Sequence, residues 1–147
     1  MDSAVRRRLE DQARMLAIGH VVVGLMVSGI GLLFSIYIPI GIAALAGWIP
    51  LSGNVESPYS ETFFGLAFLL SGLFVVTLSG AMAVASFIAA RCFRTLRHRT
   101  FLVIVQFLHL LHQPFGTVLG VFGLVYLMQA EVQQLFAEVA SERRAVA

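Results

Sequence analysis

The chain has 147 residues, of which 59% are hydrophobic and only 12% charged, with ten arginines and no lysine against eight acidic residues. So few charges exclude a soluble globule of ordinary composition and leave one small helical membrane domain. A formal net charge of +2 gives no footing for nucleic-acid binding. The lone Cys92 excludes an internal disulfide, and no Cys/His spacing suits zinc.

Three charge-free runs, 15–55, 62–90 and 100–130, divide the chain into three principal membrane stretches, since about 20 such residues span a bilayer as a helix. Residues 1–15 read as a cytoplasmic helix. Asp2 and Ser3 can cap it, Arg6/Glu10, Arg7/Asp11 and Glu10/Arg14 pair along it, and the stripe Val5, Leu9, Ala13 and Leu16 carries it into the first span. That span, 16–38, is too long for a signal-peptide core of about 7 to 15 residues and reads as an uncleaved anchor, despite Ala44-Leu45-Ala46 beyond it. Pro39 ends or kinks it. Residues 40–51 would make a helix of about 18 Å, short of the ~30 Å hydrocarbon core, so they read as interfacial or re-entrant. Trp48 and Tyr59 flank an external loop at 52–60 and fit a headgroup-level aromatic belt.

The second span, 61–92, places Gly65, Gly72, Ser79 and Ser86 at seven-residue intervals, the spacing of a left-handed helix-packing seam. A basic cytoplasmic loop at 93–100 follows. Arg91, Arg94, Arg97 and Arg99 cluster here and Arg6 to Arg8 at the N-terminus, whereas the intervening 51–61 loop has only Glu56 and Glu61, so both basic segments are expected inside. Anionic lipid headgroups are the expected partners of these arginines. Cys92, at the helix end, reads as an inert small residue or, in a eukaryote, a palmitoylation site.

The third stretch, 101–128, is broken at Pro114, which lacks an N–H and crowds the carbonyl of Leu110. On a single helix Gln106, His109, Gln113, Thr117 and Gly120 would share one polar stripe facing protein, with Gly116 and Gly120 forming a GxxxG on the same side. Whether the stretch crosses or returns, and hence the side of the C-terminus, stays open. Residues 129–142 form an amphipathic helix with Val132, Leu135, Phe136 and Val139 on its apolar face, expected to pack on protein.

Arg97 to Val105 and Pro114 to Leu127 resemble a widespread group of small uncharacterised bacterial integral membrane proteins with a basic loop and a closing P-[FL]-G-T-x-L-G-x-[FY]-[TA]-L motif. Gly123 departs from that motif, where Thr or Ala is usual. The resemblance implies a bacterial inner-membrane location and no activity.

No nucleophile elbow, metalloprotease, P-loop or dinucleotide motif is present, and no acid lies inside a span beyond Glu61 at the border of the second, so neither an enzyme nor a cofactor is expected. His20 and His109, with His112 nearby, are the only candidate haem ligands, weighed against hydrogen-bonded packing roles. Two functions fit. One is a structural or accessory protein acting through helix packing, as a homo-oligomer or in a larger membrane complex. The other is a subunit of an oligomeric channel or small transporter lined by Gln106, His109, Gln113 and Thr117.

Overall fold

In a hydrocarbon environment every backbone N–H and C=O needs a partner within the chain, and helices supply it for each long apolar run. The computed structural model describes residues 2–49, 58–111 and 115–146, and among them are six α-helices and no strand. These are α1 (Ser3–Phe34), α2 (Tyr37–Leu45), α3 (Pro58–Thr95), α4 (Arg99–Leu110), α5 (Phe115–Met128) and α6 (Ala130–Val146). Ser3–Leu45 and Thr62–Thr95 are each long and apolar enough to cross a membrane; Gly116–Met128 with Ala130–Ala145, bent by 73°, adds a third only if taken as one broken span.

The helix ends follow local chemistry. The break between α1 and α2 falls at Ser35 and Ile36, one turn ahead of Pro39, because the proline ring would meet the carbonyl of residue i−4, here Ser35. Pro39 itself lies in the first turn of α2, where its missing N–H costs nothing. The Ser35 hydroxyl donates to the Leu32 carbonyl at 2.6 Å and satisfies the end of α1. Gly47 (φ 72°) closes α2: its N–H reaches Ala44 O and that of Trp48 reaches Ala43 O, the paired bonds of a Schellman cap. The same pattern ends α3, with Leu96 N to Phe93 O and Arg97 N to Cys92 O, but here the left-handed residue is Leu96 (φ 49°), and His98 (φ 53°) repeats the conformation just before α4. Two non-glycine residues held at positive φ make this loop locally strained.

The chain divides into two units, Leu25–Ala83 and the combination of Met1–Gly24 with Val84–Ala147. In the first, small residues let backbones approach. A Cβ on Gly41 of α2 would lie 2.6 Å from the Leu69 nitrogen and 2.8 Å from the Gly65 carbonyl oxygen of α3. Gly65 faces Leu45, Gly72 faces Tyr37 and Ile38, and Ser79 faces Gly31 of α1. Three positions of the seven-residue seam are thus buried here, two against α2 and one against α1.

The second unit holds the main core, in which Leu9, Ala13 and Ala17 of α1 meet Phe93, Leu102 and Leu127. Val132, Leu135 and Phe136 of α6 belong to the same core, so the apolar face of this helix rests on protein. The Tyr126 hydroxyl donates to the Leu9 carbonyl at 2.9 Å, and Arg6 bridges Glu10 (3.0 Å) and Glu142 (3.2 Å). Because Arg6 takes Glu10, Arg14 turns to Asp11, 3.9 Å away, and not to Glu10 as helical spacing suggests. The α4–α5 stretch returns on itself: Arg99 bonds Leu127 O, Gly120 abuts the Gln106 carbonyl, and the Thr117 hydroxyl donates to Leu110 O. Such an antiparallel hairpin of 12 and 14 residues reaches only about 20 Å, less than the ~30 Å core.

Candidate functional site

Four polar side chains from three membrane stretches meet in the second unit, all buried: His20 of α1, Ser86 of α3, and Gln106 and His109 of α4. Each histidine is fixed by its own helix. His20 Nδ1–H donates to the Leu16 carbonyl and His109 Nδ1–H to the Val105 carbonyl, both at 2.8 Å. A carbonyl can only accept, so both imidazoles in their neutral form carry the proton on Nδ1 and present Nε2 as an acceptor. The Gln106 amide donates to His20 Nε2 at 3.1 Å and the Ser86 hydroxyl to His109 Nε2 at 3.0 Å. The two imidazoles pack edge to face with centroids 5.1 Å apart, and Phe93 lies 5.2 Å from His20.

This arrangement gives His20 and His109 hydrogen-bonded packing roles, the alternative to haem ligation. Their rings touch each other and their Nε2 atoms are engaged by Gln106 and Ser86, so they do not flank a slot for a macrocycle. Among the described residues no three His, Cys, Asp or Glu side chains group as a metal site would need.

The expected single stripe is corrected. Because the chain turns back before α5, Thr117 and Gly120 face α4 from a second helix and do not extend the row begun by Gln106 and His109. Gly116 is buried on α5. Gln113, His112 and Pro114 lie outside the described residues, as do residues 52–57 of the external loop. Ser86, expected as a packing position, does pack close to Gly24, and it also supplies the hydroxyl that holds His109.

Gly123 is the residue that the sequence reading missed. A Cβ there would overlap the Gln106 side chain, so the glycine makes the space in which Gln106 reaches His20. Its one sequence signal is its departure from the resembled motif. Gln106 Oε1 is buried without a hydrogen-bond partner, the least satisfied atom of the cluster.

No family model, curated protein or solved structure matches this chain. Its own geometry is therefore what bears on function.

The arginines separate by role. Arg91, Arg94 and Arg97 are exposed, whereas Arg99 is half-buried and directs Nε and Nη2 to the Leu127 carbonyl at 3.2 and 3.0 Å. It thereby caps the carboxyl end of α5, where carbonyls lack helical partners. Arg143 of α6 similarly donates to the Thr95 carbonyl at 2.8 Å. Cys92 is buried, at 7% exposure, in the core beside these elements.

Proposed function

We propose that the chain is a structural or accessory integral membrane protein of a bacterial inner membrane, with its N-terminus in the cytoplasm, and that it acts through helix packing with further copies of itself or with a larger membrane complex. The observation that carries this reading is the inward closure of the polar cluster. Gln106 and His109, the residues a conduit would line its path with, are 0% exposed and bonded to His20, Ser86 and Val105. Polar groups used in this way join helices together. Further support comes from the spans, where only 22% and 28% of the most apolar windows are buried within the chain. The rest needs lipid tails or other protein to cover it. The bacterial location rests on the resemblance of the basic loop and closing motif, and the orientation on the arginines that flank the two long spans on one side, with none in the 51–61 loop.

The test is reconstitution. Protein in nanodiscs, sized by native mass spectrometry, is expected as an oligomer or with a co-purifying membrane partner, and proteoliposomes are expected to show no ion or solute flux. A reproducible flux altered by Gln106→Glu or His109→Leu would replace this reading with the conduit, and a solitary monomer without flux would remove the self-association.

A further inference from the structure

The strained loop between α3 and α4 and the last turns of α6 enclose an open pocket of about 630 Å³. Its ionisable side chains are all basic ones: Arg97, His98 and Arg99 from the loop side, Arg143 and Arg144 from α6. Its apolar wall comes from Leu96, Phe136 and Val139. No Asp or Glu lines it among the described residues; Glu142 is turned to Arg6 and Glu10 sits in a neighbouring pocket. Four guanidinium groups around one cavity repel one another, and an anion between them removes that cost.

We propose that this pocket binds a phosphate group, carried on a ligand whose apolar part lies against Leu96, Phe136 and Val139. The division of labour among the arginines supports this. Arg99 and Arg143 are tied by main-chain bonds to Leu127 and Thr95, which position two cations as fixed walls. Arg97 and Arg144 are exposed and have no ion pair among the described residues, so their planar forks are available for phosphate oxygens. The backbone between Leu96 and His98, both at positive φ, fixes the position of Arg97. The amino end of α4, which begins at Arg99 without a side-chain cap, adds its partial positive charge to the same field.

Phosphate could come from a phospholipid headgroup or from a soluble ion, and the two are separable. Detergent-purified full-length protein would be titrated by calorimetry with dihexanoyl phosphatidic acid, with dihexanoyl phosphatidylcholine and with inorganic phosphate. Arg97→Gln and Arg144→Gln would be compared with Arg14→Gln, which removes the same charge from an exposed site outside the pocket and outside the arginine clusters expected at lipid headgroups. Each pocket variant is expected to weaken phosphatidic acid binding about tenfold, the usual effect of losing one charge-assisted pair, while the control variant binds as the unaltered chain does. Saturable binding of phosphatidic acid alone identifies a headgroup site, whereas equal binding of inorganic phosphate identifies a soluble phosphate and overturns the role given to Leu96, Phe136 and Val139. The proposal is overturned if neither phosphatidic acid nor inorganic phosphate binds saturably, or if the control loses as much affinity as the pocket variants. Unchanged thermal unfolding of Arg97→Gln and Arg144→Gln separates lost binding from lost fold.

Discussion

Gly123 and Gln106 show how one missing methyl group decides a buried polar network. Helical glycine is normally a cost of up to ~1 kcal/mol relative to alanine, yet here a Cβ would occupy the place of the Gln106 amide. Gly123→Ala should therefore destabilise the protein by about 1–3 kcal/mol, the range for overpacking a filled interior. The loss should shrink when Gln106→Ala is added, because the obstructed side chain is gone. Thermal unfolding in detergent of both single variants and the double variant gives the coupling; simple additivity would show that the two residues do not share space. His20 and His109 make the complementary point. Nothing in the spacing of the two histidines reveals that one finds an amide and the other a hydroxyl, since those partners lie far away in sequence.

At the scale of the helix, small residues act in pairs across an interface. Gly41 opposes Gly65, Gly31 opposes Ser79, and Gly24 opposes Ser86. The seven-residue spacing on α3 was visible in sequence, but its partners were not, because α2 and α1 each cover part of it. Gly72→Leu should be strongly disruptive, as even a Cβ would lie 3.0 Å from Tyr37 and Ile38 side-chain atoms. Val75→Leu, at a partly exposed position of the same helix, should be tolerated. Gly80 has nothing within 4 Å of where a Cβ would stand, so Gly80→Ala should cost nothing and could gain up to ~1 kcal/mol from helix propensity. Folded yield and unfolding temperature in detergent would rank the three; equal effects at positions 72, 75 and 80 would remove the seam as a structural element.

For the whole molecule, the hairpin makes a prediction about the side of the C-terminus, which charge counting left open. The Arg6 to Glu142 pair and the Arg143 to Thr95 bond bring the N-terminal helix, the basic loop and the C-terminal helix together at one end of their unit. Their shared location predicts a shared side of the membrane. In a Cys92→Ala background, Arg94→Cys and Ser141→Cys should both react with a membrane-impermeant maleimide in inverted vesicles and both be protected in intact cells. Cys92 itself is a poor reporter for this purpose because it is buried. Opposite labelling of the two sites would mean that α4, α5 and α6 are threaded differently, and labelling of both from outside would reverse the proposed orientation.

The helical class, the two long apolar helices and the amphipathic α6 followed from composition and periodicity alone. Each depends on local physics: the need to pair backbone groups in hydrocarbon and the 3.6-residue repeat of the helix. A break near Pro39 followed equally from its ring, although the turn itself falls a helical turn earlier, at Ser35 and Ile36. The return of α5 along α4 required tertiary structure, because a proline-broken stretch can bend or reverse with the same residues. The splitting of the polar stripe, the engagement of His20 with Gln106 and the gathering of Arg97 with Arg144 depend on that reversal and on where α6 then packs. These are contacts between residues distant in sequence, fixed by which apolar faces are buried together, and no local pattern encodes them.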